Sequence, residues 1–386
     1  MHIEAYTTEN WGYPPYNRRS FQHVQSLFRT TRLRRGAGPI SELRMAAKNI
    51  GSLEYSGAEG QQRSLNDMLN DTYTDAFIVL KNGEILAEEY RNDMAPDSFH
   101  LLNSVTKSFV GVLTGILVAE GLLEPDEKIA TYVPEFAATA FRDTTLQTAL
   151  DMTAAVKFGE DYADRQADFW VESAIVGWRP ALDHGQLAKT LFDHACSIVD
   201  VEQAEGTHFH YRSILTNVIA MVIERVTGRK VQNLLAERLW QKLGPEQDAV
   251  IVVDQSGFPY VGAGMSACAR DLARFGQMLL NNGEYNGEQI VPASWVQQTV
   301  NGDENLRTLF AASDYAEMVP GGHYHNQLWA NAEQGVMMCI GIHGQTIHIN
   351  QKTGVVSVKL STHPDSADMS IFGDTFLALN ALSDKL

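Results

Sequence analysis

An Asn-Gly dipeptide at residues 82–83 constrains the fold more than any other short feature of the chain. It separates two strand-like runs, 76–80 and 84–90. Asn-Gly is the strongest short-range signal for a β-hairpin, because both residues tolerate the positive φ that the tight turn requires. Further strand-like segments follow near the end: "NQLWANA" (326–332), "GVMMCIGI" (335–342), "QTIHIN" (345–350) and "GVVSVKLS" (354–361). We expect the hairpin to join these segments in one antiparallel sheet.

The middle of the chain has helical periodicity instead. Apolar residues recur at helical spacing from Val105 to Leu117, and Gly121 marks the end of that helix. Further helices are predicted at 144–153, 213–228, 230–244, 266–283 (with Ser266 as a candidate N-cap) and 370–384. Residues 1–65 have the composition of an irregular arm. These patterns predict a multi-domain α+β fold, an antiparallel sheet flanked by helices plus an all-helical domain. We assign residues 1–103 and 270–386 to the sheet domain and residues 104–269, mainly helical, to the other.

Composition excludes several classes of function. The chain has 386 residues, of which 44% are hydrophobic, so it can bury a large core. A net charge of -17 argues against binding to nucleic acid or to an anionic membrane surface. The longest apolar run, 109–119, is too short to span a bilayer, and the N-terminus lacks the pattern of a secretory signal. We therefore expect a cytoplasmic protein with no membrane partner.

Ser104 and Lys107 open the apolar helix, and their spacing allows two interpretations. Residues at i and i+3 share one face of a helix, so the hydroxyl and the amine can meet. The pair could be ordinary helix capping, because serine is a good N-cap and lysine is common on helices. Alternatively, a buried Lys107 at the positive end of the helix would lose its proton more easily and could serve as the base for a nucleophilic serine. Serine and lysine at this spacing also occur by chance in many proteins, so capping stays open; the second interpretation gains weight because this helix has hardly any polar face.

Several motifs together resemble a known family. "SVTKS" followed by an apolar helix is similar to the Ser-x-x-Lys motif of the penicillin-recognising serine hydrolases, which include the serine β-lactamases, the DD-peptidases and their esterase relatives. "YVPEF", "LQTALDMTAAV" and Tyr211-Arg212-Ser213 follow in the order that the family has. "DTYTDAFIVL", "EDYAD", "VIERVTG", "ARDLARFG" and "GIHGQ" resemble the branch of 6-aminohexanoate-dimer hydrolases, which degrade nylon oligomers. The resemblance runs from about residue 8 to the C-terminus.

The resemblance implies a catalytic role for three side chains. Ser104 would be the acylated nucleophile, Lys107 its base, and Tyr211 the group that relays the proton to the leaving group. A nearby ammonium can lower the pKa of a tyrosine, which suits that relay. Ser213 would donate a hydrogen bond to the lysine or to the substrate. Without the other two residues, Tyr211 would be read as an ordinary core aromatic with a satisfied hydroxyl.

A third motif of the family, normally Lys-Thr-Gly, lines the site on a strand. We reject the literal match at 352–354, because it falls where a turn is expected, and prefer 339–342. Gly341 would let the substrate approach the strand, and the N–H groups of Ile342 and Ser104 would form the oxyanion hole. His343 lies beside them and is a candidate substrate contact. The lysine of this motif is missing, which argues against tight binding of a β-lactam carboxylate.

Substrate selectivity is less determined. Tyr162 resembles a lid tyrosine and Trp329 a pocket-wall tryptophan, although loop packing would explain both equally well. Ser173 stands where an acidic partner for a substrate amine is expected, with Asp168 and Glu172 near it in sequence, and Gly262 stands where a polar residue is expected. A serine hydrolase that acts through an acyl-enzyme on short-chain esters or small linear amides is therefore predicted. The alternatives are a carboxylesterase without activity on nylon oligomers, a β-lactamase or DD-peptidase, and a non-catalytic binding protein.

No cofactor or metal is predicted. His208 and His210, and likewise His323 and His325, have metal-like spacing, but neither pair has an obvious third ligand. The expected partner is a small-molecule amide or ester, and the chain could form a homodimer.

Overall fold

The computed structural model describes residues 5–164, 166–180 and 188–386. In chain order, the strands are β1 (Thr30–Leu33), β2 (Glu54–Ser56), β3 (Gln62–Ser64), β4 (Thr74–Lys81), β5 (Glu84–Tyr90), β6 (His100–Leu101), β7 (Ala249–Val252), β8 (Met265–Ala267), β9 (Glu284–Tyr285), β10 (Glu288–Gln289), β11 (His323–His325), β12 (Leu328–Asn331), β13 (Val336–Gly341), β14 (Gln345–Asn350) and β15 (Val355–Ser361).

The helices occupy the arm, the middle of the chain and its end. They are α1 (Asn17–Ser20), α2 (Val24–Leu27), α3 (Leu65–Asp71), α4 (Val105–Ala119), α5 (Ile129–Tyr132), α6 (Leu146–Leu150), α7 (Asp168–Ile175), α8 (Leu191–Ser197), α9 (Ser213–Thr227), α10 (Val231–Arg238), α11 (Ala269–Leu280), α12 (Ala293–Asn301), α13 (Glu304–Ala311) and α14 (Met369–Lys385). Short 3₁₀ segments lie at Pro134–Ala138, Trp240–Leu243 and Ile342–Gly344.

The main antiparallel sheet has the predicted composition. Within the described residues, seven strands pair in the order β11-β12-β13-β14-β15-β4-β5. The hairpin β4–β5 turns at Asn82 and Gly83, whose φ angles are 52° and 84°, as a two-residue turn with positive φ requires. Its first strand pairs with the last strand of the chain, with Val355 opposite Lys81. The predicted joining of the N-terminal hairpin to the C-terminal strands is confirmed.

Both faces of this sheet are covered. Alternate residues of β4 enter different cores: Ile78 and Leu80 join the large core, while Phe77 and Val79 join a smaller one with Leu379 of α14. This two-residue alternation is what a strand buried on both faces produces. Helix α11 packs across β15, β14 and β4. The sheet is therefore a rigid platform that fixes β13, the strand that reaches the candidate site.

A second sheet, of order β1-β7-β8-β6, was not predicted from the sequence. Its strands are two to four residues long, too short to give a clear alternation. This sheet matters for the site, because β6 leads directly to Ser104 and β8 pairs with β6. The backbone N–H of Leu102 also donates to the carbonyl of Met265 in β8, at 2.9 Å.

The helix predictions had mixed outcomes. Helix α9 ends as predicted at Gly228, which has a φ of 63°. The segment 230–244 is broken at Leu239 into α10 and a 3₁₀ segment. The assignment of Ser266 as an N-cap was wrong: Ser266 lies inside β8, and α11 begins after Cys268. The predicted 144–153 helix is shorter, as α6.

The α+β fold class is confirmed by mixed helices and antiparallel sheets. Among the described residues, none of the helices combines the length and the apolar composition needed to cross a bilayer.

Candidate active site

Ser104 is held in a turn that two distant parts of the chain fix in place. Asn103, just before it, has a φ of 47°, a left-handed conformation that asparagine tolerates better than most residues. The side-chain amide of Asn103 donates to the carbonyl of Ile342 at 3.0 Å. On the other side, Thr106 accepts a hydrogen bond from the N–H of Met265 at 3.2 Å. The turn is thus attached both to the end of β13 and to β8, which fixes the position of the Ser104 hydroxyl.

The side chain of Ser104 does not cap its helix. It accepts no hydrogen bond from the described backbone of α4, although Ser104 occupies the N-cap position. Instead, Nζ of Lys107 donates to Oγ of Ser104 at 2.7 Å. The capping interpretation of this pair is therefore wrong, and the pairing of hydroxyl and amine is what the structure contains.

Lys107 is fully buried. Its Nζ also donates to the backbone carbonyl of Gly262 at 2.6 Å. Burial lowers the pKa of Lys107 to about 8, against the opposing influence of the carboxylates of Glu160 and Glu172. A substantial fraction of this amine is therefore uncharged in weakly alkaline solution, where an ordinary lysine would be fully protonated.

Tyr211, which lies directly before α9, completes the group. Its ring is buried, and Nζ of Lys107 lies 4.9 Å from the ring centroid. The phenol also lies beside the Ser104 side chain, whose hydrogen-bonding influence favours the ionised phenol. Burial outweighs this and raises the pKa of Tyr211 well above its ordinary value. The expected lowering of this pKa was wrong, because desolvation exceeds the effect of the neighbouring groups; the phenol keeps its proton and can donate it.

The end of β13 runs directly against the Ser104 turn. A Cβ atom at Gly341 would collide with the carbonyl oxygen of Leu102 and would lie 3.1 Å from the amide nitrogen of Ser104. Glycine is therefore required at this position by the close approach of two backbones. The space that the sequence analysis assigned to the substrate is filled by the Ser104 turn, and Gly341 is absent from the described walls of the two cavities at this site. The literal Lys-Thr-Gly motif at 352–354 lies instead in the turn between β14 and β15, as expected.

Two cavities meet at this site. The smaller, of about 190 Å³, is lined by Ser104, Tyr211 and Trp329 among others. The larger, of about 570 Å³, is lined by Ser173 and His343 among others. Asp161, Tyr162, Ile342 and Ala367 belong to the walls of both. The two cavities are therefore adjoining compartments of one cleft, with the Ser104 turn between them.

The sequence-predicted contact residues are divided between these compartments. The ring of Trp329 stacks on that of Tyr211 with the centroids 5.4 Å apart. The hydroxyl of Tyr162, at the junction, donates to Glu160 at 2.9 Å. His343, in the larger compartment, has a φ of 61° and hydrogen-bonds through Nδ1 to the carbonyl of His363 at 2.7 Å. Burial lowers the pKa of His343 to about 4, so the ring is neutral at physiological pH.

The expected hydrogen bond between Ser213 and Lys107 is not formed. Its hydroxyl and its backbone N–H both donate to the carboxylate of Glu160. It is also absent from the described walls of the two compartments. The predicted role of Ser213 is corrected accordingly: it anchors Glu160, which lines the smaller compartment and is the carboxylate with the largest electrostatic influence on Lys107.

A buried hydrogen-bonded chain behind Lys107 was missed by the sequence analysis. The N–H of Gly262 donates to Oδ1 of Asn217 at 3.0 Å, and Nδ2 of Asn217 donates to the carboxylate of Glu172 at 2.5 Å. Asn217 and Glu172 are both completely buried. One signal was available: Asn217 is a lone amide in the apolar helix "SILTNVIAMVIERV", where an unpaired polar group would be costly.

The other acidic and histidine candidates have structural partners. Asp168 accepts a hydrogen bond from the N–H of Gly159 at 2.8 Å. His210 pairs with Glu202 at 2.8 Å, and His325 with Asp151 at 2.7 Å. No group of three or more potential metal ligands lies together within the described ranges.

Comparison with known proteins identifies the family of this chain. The model of the β-lactamase family matches residues 67–381. The chain is 36% identical to the 6-aminohexanoate-dimer hydrolase of Paenarthrobacter ureafaciens over 366 residues, which cover 93% of this chain and 88% of that protein.

Solved structures give the same result at the level of the fold. A Bacillus anthracis protein described as a candidate 6-aminohexanoate-dimer hydrolase superposes with a TM-score of 0.88 at 28% identity, covering 98% of this chain and 97% of the other. A family VIII carboxylesterase superposes with a TM-score of 0.56 at 16% identity, covering 81% and 96%. This chain therefore belongs to the β-lactamase family of serine hydrolases and is itself a hydrolase.

Proposed function

We propose that the protein is a serine hydrolase that acts through an acyl-enzyme on short-chain esters or small linear amides. The observation that carries the proposal is the 2.7 Å hydrogen bond between the fully buried amine of Lys107 and the hydroxyl of Ser104, beside the phenol of Tyr211. The proposed nucleophile and base, three residues apart at the start of α4, meet the proposed proton donor from the segment before α9 at the point where two cavities join. If these three side chains served only to stabilise the fold, there would be no reason for Ser104 and Tyr211 to line a cavity.

Each side chain would have one role in the acylation step. The uncharged amine of Lys107 takes the proton of Ser104 as Oγ attacks the carbonyl carbon. The N–H groups of Ser104 and Ile342 hold the negative oxygen that forms. The bond to the leaving group then breaks, and the leaving atom receives a proton from Tyr211, which is reprotonated by the Lys107 ammonium. Water repeats these steps on the acyl-enzyme and releases the acid.

The contact residues support a substrate that spans both compartments. Trp329 lines the smaller compartment, Ser173 and His343 line the larger one, and Tyr162 lies at their junction. Because Tyr211 comes from residues 104–269 and Trp329 from residues 270–386, we also propose that the site lies between the two domains assigned from the sequence.

The substrate class is the part that relatives inform most directly. The 36% identical relative is named for hydrolysis of the 6-aminohexanoate dimer, and we propose a related amide or ester hydrolase here. A carboxylesterase without activity on nylon oligomers is the second candidate. It is favoured by Ser173, which brings no carboxylate for a substrate amine, while Glu172 is buried against Asn217.

The test is labelling combined with a substrate panel. A fluorophosphonate should modify Ser104, and Ser104→Ala should lose both labelling and turnover of p-nitrophenyl esters. Full turnover by this variant would refute the proposal. Comparison of short p-nitrophenyl esters, the linear 6-aminohexanoate dimer and nitrocefin then separates esterase, amidase and β-lactamase activity.

A further inference from the structure

The two compartments differ in their relation to the proton donor. Tyr211 lines the smaller compartment together with Ser104, whereas the described wall of the larger one includes Asn103 and Ile342 but not Tyr211. If Tyr211 protonates the leaving group, the leaving group must extend into the smaller compartment. The acyl group, on the other side of the carbonyl carbon, then extends into the larger one.

The larger compartment has an aromatic wall. Seven of its lining residues are phenylalanine, tyrosine or tryptophan: Trp11, Tyr13, Phe21, Tyr162, Phe169, Trp170 and Trp178. The rings already pair at aromatic contact distances, with Trp11 and Trp178 5.1 Å apart and Phe169 and Trp170 6.0 Å apart. The guanidinium carbon of Arg179 lies 4.4 Å from the centroid of a Trp170 ring and adds another flat, polarisable surface. Such walls favour a flat ring over a flexible alkyl chain, because offset and edge-to-face contacts add to the burial of apolar area.

We infer that the larger compartment binds an arylalkanoyl group and the smaller one a small leaving group. This inference rests on the proposed function and specifies the substrate class of the same site. The volumes agree with it, since about 570 Å³ accommodates a ring on a short chain with room to spare. The smaller space, about 190 Å³, is crowded by Tyr315 and Trp329.

A pair of reversed esters tests this assignment. Methyl 3-phenylpropanoate carries the ring on the acyl side, and its isomer 2-phenylethyl acetate carries the ring on the leaving-group side. After correction for their rates of hydrolysis by hydroxide, we expect kcat/KM for the first to exceed that for the second by about tenfold or more. Equal values, or a preference for the acetate, would overturn the assignment while leaving the serine hydrolase proposal intact. Failure of both esters to acylate Ser104 would instead overturn the proposed function, and this inference with it.

Variants in the wall locate the effect. Tyr13→Leu and Trp170→Leu should each reduce the preference for the arylalkanoyl ester by at least about threefold. Tyr6→Leu is the matched control, because Tyr6 is on the same arm but stacks on His23, outside the compartment. An unchanged preference in both wall variants would contradict the inference, as would an equal loss in the control.

The buried chain behind Lys107 supports a second, independent inference. A neutral amine has two N–H donors and one lone pair, and a base needs that lone pair directed at the serine hydroxyl. The carbonyl of Gly262 accepts one N–H of Lys107 at 2.6 Å, and this fixes the rotation of the amine. The peptide of Gly262 is held in turn by Asn217, and Asn217 by Glu172.

We infer that Glu172 is a positioning residue, which orients the amine of Lys107 through Asn217 and the peptide of Gly262. It also acts on the amine through its charge. The titratable groups that face Lys107 are Glu160 from the segment before α7, Glu172 from α7 and the phenol of Tyr211 before α9. Glu172 itself is faced by Glu160, Lys107 and the hydroxyl of Tyr260. Burial raises the pKa of Glu172 itself to about 8, so this carboxyl is only partly ionised in the pH range where Lys107 loses its proton. The ionised fraction raises the pKa of Lys107, so removal of the carboxyl should make the amine easier to deprotonate.

Glu172→Gln tests the inference with little change in shape, because the new amide oxygen can still accept the hydrogen bond from Asn217. We expect the acidic limb of the pH profile of kcat/KM to move down by about 0.5 pH unit. Asp168→Asn is the matched control, since it removes a carboxylate from the same helix at the Gly159 contact. The acidic limb of the kcat/KM profile of Asp168→Asn should not move.

A merely structural role would give a different result. In that case Glu172→Gln would lower kcat/KM by the same factor at every pH, with the limb unmoved, and the inference would be wrong. If the variant folds poorly, Asn217→Ala serves as a second probe. It should lower kcat by about tenfold with little change in KM; an unchanged kcat would also overturn the inference.

Discussion

The molecule buries two lysines against serine hydroxyls, and they differ instructively. Lys107 donates to Ser104, and Lys359 donates to Ser361. Both lysines are fully buried, and burial lowers the pKa of Lys107 to about 8 and that of Lys359 to about 7. By residue type, burial and amine basicity the two pairs are alike.

Their surroundings are not alike. Ser361 is completely buried and lies outside the described walls of both compartments, whereas Ser104 lines the smaller one. Lys359 also donates to the carbonyl of Thr72 at 3.2 Å and lies near the buried carboxylate of Asp75. It therefore holds the sheet to the segment before β4. The comparison teaches that an easily deprotonated lysine is not sufficient for catalysis; the pair also needs substrate access and a proton donor.

The largest expected effect separates the two lysines directly. Lys107→Met should lower kcat/KM for p-nitrophenyl esters by roughly 10³-fold or more, because the nucleophile loses its base. Lys359→Met should leave kcat/KM per active site unchanged, with active sites counted by fluorophosphonate titration. Comparable losses in both variants would show that the two lysines do not differ in their importance for catalysis.

Tyr211 sharpens the comparison, because it is the proposed proton donor beside the first pair. Tyr211→Phe should lower turnover of a linear amide by roughly 10²-fold, as expected for loss of a general acid. The loss should be smaller for a p-nitrophenyl ester, whose leaving group departs as a stable anion. Single-turnover rates on both substrates measure this, and an equal loss on the two would indicate a structural role for the phenol.

The pH profile should report one lysine and not the other. In the proposed mechanism the active form has Lys107 uncharged, so kcat/KM should fall by about tenfold for each pH unit below the pKa of Lys107, which is about 8. The sign follows from the base: protonation at low pH removes its lone pair. Lys359→Met should leave this acidic limb unchanged. If the limb moved in that variant, the pH dependence would have to be assigned to Lys359 and not to Lys107.

The smallest effect concerns stability. The pKa of Lys359 is about 7 in the folded protein and about 10.4 in an unfolded chain. Between these values the unfolded state binds more protons, so the contribution of Lys359 to the free energy of unfolding rises with pH. Relative to Lys359→Met, the unsubstituted protein should therefore gain stability from pH 7 to pH 10, as measured by urea denaturation. A pH-independent difference would mean that this lysine is not desolvated as described.

Much of the scaffold could be predicted because its signals are local. The Asn82-Gly83 turn and the apolar spacing of α4 each depend on neighbouring residues, and both were confirmed. The sheet β1-β7-β8-β6 could not be predicted, because its short strands come from distant parts of the chain and carry no periodicity of their own. Ser266 shows the same limit of prediction from sequence. Serine is a good N-cap residue, but Ser266 lies in β8 because of its pairing with distant strands.

The candidate site divides in the same way. The spacing of Ser104 and Lys107 already placed hydroxyl and amine on one helix face, and the family resemblance pointed to Tyr211. The hydrogen-bond partners of these residues could not be deduced from the sequence. The hydroxyl of Ser213 donates to Glu160, and Lys107 donates to the backbone carbonyl of Gly262. Those partners lie 53 and 155 positions apart in the chain, beyond the range of any sequence pattern.

The sequence by itself determined the antiparallel sheet, the apolar helix with its Ser-x-x-Lys start, and the family. Tertiary structure alone decided the charge states and the shape of the cleft. Burial raises the pKa of Tyr211 and lowers that of Lys107. Both shifts, and the shape of the two compartments, depend on how completely water is excluded and on which residues from distant parts of the chain lie nearby. Desolvation and long-range charge are properties of the packed chain, whereas periodicity and turn chemistry are properties of neighbouring residues.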